Sequence, residues 1–284
     1  MTAVHRFLPG VTVGLQTDQL DMTNRKAVAS SIERFRPDIV VHCAILNDFG
    51  ALYRDRQAGW EAYVTATGIA ADAAASVGAA FVVVSTDWVF DGTQSGADED
   101  TPPNPVNIYG VLKLASELTA LERGGAVARI SGVNGMHRAR PDSPRRQDRG
   151  FGYFVASLVD SLTRGEPFTV WESENINMIA TPSLASESAE LILSIGERRL
   201  DGIFHCCGGD AIDRMGLARL ACEVFDLDHT LLRSGLPDDE AIPGAFIPYD
   251  TSITAPRTSK LLDHRPTPLR ELLARFRREY EAAA

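Results

Sequence analysis

Long apolar runs are missing from this chain. No stretch of its 284 residues approaches the roughly 20 that a bilayer-spanning helix needs. Positive charge is also short. With 28 Lys and Arg against 38 Asp and Glu, the net charge is −10, which excludes nucleic acid as the main partner because phosphate binding relies on a basic surface. Small anionic ligands, which need only a local positive pocket, are not excluded. The four cysteines, Cys43, Cys206, Cys207 and Cys222, have no zinc-type spacing. They read as buried, reduced thiols. Nor do the six histidines carry a metal spacing; His42 and His205 fall in apolar runs and read as core or strand-end residues. The opening MTAVHRFLPG lacks the apolar stretch of a signal peptide. Together these absences point to a cytoplasmic protein.

What the chain has is rhythm. Short β-branched, apolar runs recur at VTVGL (11–15), DIVVHCA (38–44), AAFVVVST (79–86), AVARIS (126–131) and GIFHCC (202–207). Several are apolar on both alternating faces, as strands covered on both sides must be. Between them lie helical stretches. NRKAVASSIERF (24–35) has Thr23 or Asn24 as its cap, WEAYVTATGIAADAAASVG (60–78) stops on Gly78, and NIYGVLKLASELTALERGG (107–125) is entered through prolines. Strands alternating with helices predict a doubly wound α/β fold with a parallel sheet. After residue 135 the rhythm changes. MHRARPDSPRRQDRG (136–150) reads as a loop, either an anion-binding flap or a solvated segment, and its charge run favours the solvated reading. FGYFVASLVDSLTRGE (151–166) and PLRELLARFRREYEAA near the end read as amphipathic helices. The expected division is a nucleotide-binding domain over 1–150 and a substrate-binding lobe over 151–284 that partly returns to the main sheet.

One constellation carries chemistry. VVVSTDWVFDG ends a buried strand in two hydroxyls, Ser85 and Thr86, at the carboxyl end where doubly wound sheets bind ligands. Tyr109 follows Thr86 by 23 residues, and Lys113 lies one helical turn further. Carbonyl reduction needs a hydroxyl to orient the ketone, an acid to protonate the developing alkoxide, and a cation to tune that acid. A phenol has a pKa of about 10, so a nearby ammonium is expected to lower it into a useful range. Lys113 at i+4 supplies that charge and can also hold a cofactor ribose. Trp88 and Phe90 either wall the pocket or pack in the core. The acidic run Asp98, Glu99, Asp100 reads as a solvated turn.

The segments RPDIVVHCA, STDWVFDG and DEDTPPNPVNIYGVLKLASE resemble the extended short-chain dehydrogenase/reductase superfamily. They are most similar to its dTDP-4-dehydrorhamnose reductase branch, in which STDYVFDG and P-x-N-x-YG-x-[ST]K-x-x-GE are typical. The likeness covers most of residues 12–135 and continues more loosely through ARISGVNG and DTSITAPRTSKLL. It implies a Rossmann-like fold and NAD(P)H-dependent reduction of a nucleotide-linked keto sugar, with Thr86, Tyr109 and Lys113 as catalytic residues. The implied cofactor contacts are Asp21, Met22, Cys43, Ala44, Ser85, Tyr109 and Lys113. A small-molecule nucleotide-sugar substrate is the implied partner, and a homodimer is left open. The alternative is a non-catalytic binding or regulatory member of the same family, for which the regulatory β subunit of methionine adenosyltransferase is a precedent.

Departures from the pattern shape these expectations. The family opens with a strand and a Gly-x-x-Gly-x-x-Gly turn that holds the pyrophosphate. Here the first recognisable strand, VTVGL, corresponds to the family's second, and roughly 25 residues are absent by the length of a βαβ unit. A start codon assigned too far downstream is the favoured explanation; a shortened protein that re-pairs its strands and a non-catalytic relative are the others. Gly132 stands where the rhamnose enzyme carries a tryptophan, Ile247 where an arginine precedes proline, and Thr65 where asparagine is common. Gln16 leaves no carboxylate to select NAD by its ribose hydroxyls, which tilts the cofactor toward NADP.

Overall fold

A computed structural model describes residues 12–46, 48–136, 146–238 and 244–282. The chain enters through an irregular stretch and reaches helix α1 (Arg25–Phe35), capped by Asn24, whose side chain accepts from Ala27 N. Strand β1 (Ile39–His42) follows, then two short helices, α2 (Phe49–Arg54) and α3 (Arg56–Trp60). A single π turn over Glu61–Thr65 runs into α4 (Ala66–Ser76). Next come β2 (Ala80–Thr86), α5 (Ile108–Leu121), β3 (Ala126–Ile130) and the two-residue β4 (Val133–Asn134). The second half holds α6 (Phe154–Thr163), β5 (Phe168–Trp171), β6 (Ile179–Ala180), β7 (Ser183–Leu184), α7 (Ala185–Glu197) and β8 (Gly202–His205). The chain closes with β9 (Ile212–Asp213), α8 (Arg214–Phe225), β10 (Leu232–Gly235), α9 (Pro256–Leu262) and α10 (Leu269–Glu281).

The main sheet is parallel, in the order β1-β2-β3-β8. Strand alternation sends Phe81 and Val83 to one face, where they pack on Ala70, Ala71 and Ala74 of α4 and Ala120 of α5. Val82, with Ala126, Ala128 and Phe204, faces Leu191, Ile192 and Ile195 of α7 on the other. Helices on both faces of a parallel sheet make this the doubly wound α/β fold that the apolar runs predict. A second apolar cluster joins α6, α8, α10 and β5 through Phe154, Leu158, Phe168, Leu217, Leu272 and Phe276. Among the described residues no helix is long and apolar enough to cross a membrane.

Two expectations are corrected. Residues 12–15 of VTVGL are not a strand: they are irregular, and Val13 and Leu15 are exposed. A strand needs a ladder partner, and among the described strands β1 pairs only with β2, so nothing bridges β1 to residues 12–15. Glu99 is not in a solvated turn. It is buried, and its carboxylate accepts from the backbone N–H and hydroxyl of Thr258 at 2.9 and 2.8 Å, satisfying the start of α9. Most of the predicted loop at 136–150 lies outside the described residues.

Candidate active site

Successive residues of a strand point to opposite sides, and the last two of β2 part accordingly. Ser85 donates to Glu117 Oε1 of α5 at 2.5 Å, joining an ion pair between Glu117 and Arg129 of β3 at 2.7 Å that is closed to solvent. Thr86 instead lines a cavity of about 530 Å³ beyond the carboxyl end of the sheet. Its hydroxyl donates to Asp87 Oδ1 at 3.0 Å and accepts from Trp88 N at 3.2 Å.

Tyr109 is delivered to Thr86 by the start of α5. Asn107 caps that helix by accepting from Gly110 N at 2.9 Å, and its amide donates to Phe246 O at 2.9 Å. Glycine is required at 110, because a Cβ there would lie 2.3 Å from the Trp88 carbonyl oxygen and 2.8 Å from Pro105. The Tyr109 phenol lines the same cavity as Thr86. Burial pushes it up to about 12, the nearby Thr86 hydroxyl opposes that rise by favouring the phenolate, and Asp87 and Asp148 add to it. Three rings surround it edge-on: Phe49 at 6.4 Å, Tyr63 at 6.1 Å and Trp88 at 5.8 Å between centroids.

Lys113 does not do what its spacing predicts. Its ammonium donates to Val84 O at 2.9 Å and sits over the Tyr63 ring at 5.5 Å. Burial pulls it down to about 8, against the Cys43 thiol and the Glu117 carboxylate, which favour its charge. The expected lowering of the phenol is replaced by a rise, led by the desolvation of Tyr109.

Asp87 completes the centre. Its carboxylate accepts from Thr251 at 2.5 Å, Ser131 at 2.7 Å and Thr86 at 3.0 Å. Burial still pushes it up to about 6, against those three bonds. The opposite wall is the segment 148–153 with Asn175, Asn177, Ala245 and Ile247. Arg214, fully buried on α8, fastens that wall by donating to Asn177 O at 2.7 Å, Asp148 O at 2.8 Å and Gly150 O.

Of the predicted site residues, Thr86 and Tyr109 meet at the cavity, with Lys113 behind them. Ser85 is engaged by Glu117. Cys43 is half-buried and Ala44 exposed just past β1, where the next two residues, Ile45 and Leu46, line the cavity. Asp21 and Met22 stand ahead of α1. The Asp21 carboxylate accepts from Thr23 N and Oγ1, and Met22 packs on Val28, Ile69 and Ala73. Gly132 and Ile247, where the chain departs from the family pattern, both line the cavity, as does Trp88; Phe90 packs in the core. Asp87, Tyr63 and Arg214 escaped the sequence reading. Asp87 was in plain view between Thr86 and Trp88, whereas the other two carry no local signal.

The end of the cavity lined by Thr86 and Tyr109 would suit a nicotinamide and a ketone: a hydroxyl, a phenol and the apolar Ile45 and Leu46 line the same space. At the exit of β1 the residues are Cys43, Ala44, Ile45 and Leu46, so no glycine turn cradles a diphosphate there.

Comparison with known proteins agrees with the fold. Residues 8–281 match the family described as RmlD substrate binding domain. Methionine adenosyltransferase 2 subunit beta of Bos taurus is 26% identical over 260 residues, 89% of this chain and 73% of that one. The dTDP-4-dehydrorhamnose reductase of Burkholderia thailandensis is 39% identical over 117 residues, 41% of this chain and 39% of that one. The crystal structure of dTDP-4-dehydrorhamnose reductase from Bacillus anthracis in complex with NADP superposes with a TM-score of 0.76 at 22% identity, covering 92% of this chain and 88% of that one.

Proposed function

The chain belongs to the RmlD substrate binding domain family, and from that premise we propose that it reduces the ketone of a nucleotide-linked keto sugar. The observation that carries this reading is that Thr86 and Tyr109 line the sheet end of one cavity. When bound, a nicotinamide dinucleotide supplies the hydride. The Tyr109 phenol stays protonated throughout the neutral range, so it donates a proton to the oxygen that becomes an alkoxide. Thr86 orients that oxygen. Because its single proton is directed to Asp87 in the free protein, substrate binding turns the hydroxyl. Asp87 holds the centre together through the Ser131 and Thr251 hydroxyls, which keep it polar without opening it to water.

A second reading, a binding member without turnover, is favoured by the seat of Lys113 on the Val84 carbonyl and the Tyr63 ring beside a phenol that stays neutral. Titration with NADPH and NADH, followed by tryptophan fluorescence, separates the two. Saturable binding by either, with turnover of a nucleoside-diphosphate-linked keto sugar, is the expected result. Tyr109→Phe should then lose about 10²- to 10⁴-fold in kcat while keeping its dinucleotide affinity. A folded chain that binds neither dinucleotide sinks the reductase reading.

A further inference from the structure

Tyr63 lies in the cavity and has no part in the reaction just described. It occupies the middle of the π turn at Glu61–Thr65, a local widening that often marks functional positions in helices. Its carbonyl accepts from the Thr67 hydroxyl at 2.6 Å. The side chain is buried and touches three things that matter to the site. Its hydroxyl donates to Leu46 O at 3.1 Å, on the exit loop of β1. One face of its ring carries the Lys113 ammonium, and the ring meets Tyr109 at 84°. Burial pushes its own phenol far up, so it remains a neutral donor and no acid.

The groups facing Lys113 come from every element packed on it. Strand β1 and its exit contribute His42 and Cys43, β2 contributes the Val84 carbonyl, α5 contributes Glu117, and the π turn contributes the Tyr63 ring. Of these, the ring is the one that also touches the proton donor. We propose that Tyr63 is a positioning residue: its ring seats the Lys113 charge behind Tyr109, and its hydroxyl ties the exit loop of β1 to the same wall. This role rests on the reductase reading for its purpose, but the seat itself is testable without turnover.

The chain has three lysines, Lys26, Lys113 and Lys260, so a sample carrying ¹³C-labelled lysine gives a sparse NMR spectrum. Lys113→Met identifies the resonance of interest. Lys113 in the unmodified chain is expected to titrate near 8. Tyr63→Leu should lower that midpoint by about 0.5 to 1.5 pH units, the worth of a desolvated cation–ring contact. Tyr63→Phe, which keeps the ring, should leave it in place, and Tyr63→Met serves if the Leu variant does not fold. An unmoved midpoint in a folded Leu or Met variant, or a Phe variant that moves as far as Leu, overturns the assignment. A chain that titrates as expected yet reduces no keto sugar sinks the reductase reading alone.

Discussion

The two walls of the cavity are built on different principles. On the polar wall, Asp87 gathers hydroxyls that are 1, 44 and 164 residues away in sequence, and Arg214 gathers backbone carbonyls 37, 66 and 64 residues away. On the aromatic wall, Phe49, Tyr63, Trp88 and Tyr109 meet in edge-on pairs within the first half of the chain. A buried polar group has few acceptable geometries and loses heavily when one partner goes. Ring pairs contribute small increments that a neighbour can partly replace. The polar wall should therefore fail as a unit and the aromatic wall by degrees.

The largest effect is expected at a buried polar cluster of the same kind inside the fold, on the side of β2 away from the cavity. Arg129→Met leaves the Glu117 carboxylate buried beside Ser85 without its cation. That should cost about 3–5 kcal/mol of unfolding free energy in urea denaturation. Replacing the whole pair, Arg129→Met with Glu117→Leu, should recover all but about 1 kcal/mol, the remainder being the orphaned Ser85 hydroxyl. If the double variant is no better than the single one, the cluster is not failing through unpaired charge.

Asp87 gives the next effect and has a pH signature. Its carboxyl moves from an ordinary 3.8 up to about 6 in the folded chain. Between those values the folded state holds a proton that the unfolded state has released. Its contribution to stability is thus fully present below about 4 and is lost as pH rises to about 6. His42, drawn down from 6.5 to about 4 by burial and by Lys113, acts in the opposite sense over nearly the same range. The comparison with Asp87→Asn isolates the carboxyl: the melting temperature of the unmodified chain, minus that of the variant, should fall from pH 4 to pH 6 and level off above. A flat difference would mean that Asp87 titrates in its ordinary range.

The same contrast decides what was legible beforehand. Short runs apolar on both faces located four strands of the main sheet because a strand covered on both sides has few alternatives. Tyr109 was readable because its place on a helix face is a local demand, whereas the Asn107 cap and the tight approach at Gly110 emerged only with the structure. The strand expected at 11–15 failed for a reason its own residues do not contain, since pairing belongs to a neighbour. Glu99 was misjudged likewise: a carboxylate in a turn is solvated unless a distant helix start, here 159 residues on, requires it. Lys113 had the spacing for tuning Tyr109, but a π turn at 61–65, with no sequence signature, offered it another seat.

The smallest effect belongs to the aromatic wall. Trp88 meets Phe49 at 6.2 Å and Tyr109 at 5.8 Å, and it is only half-buried. Ring pairs of this kind contribute about 0.5–1.5 kcal/mol each beyond their buried area. Trp88→Leu should thus lower the melting temperature by only about 2–5 °C. Trp88→Phe, which keeps a ring in the place of a ring, should lose less than half as much. The backbone of Trp88 carries more weight than its side chain, since its N–H bonds Thr86 and its carbonyl presses on Gly110. Neither contact is altered by these changes, so Tyr109 keeps its place and the graded loss reads the rings alone. A drop as steep as that of Arg129→Met would show that ring pairs and buried polar clusters share one mode of failure.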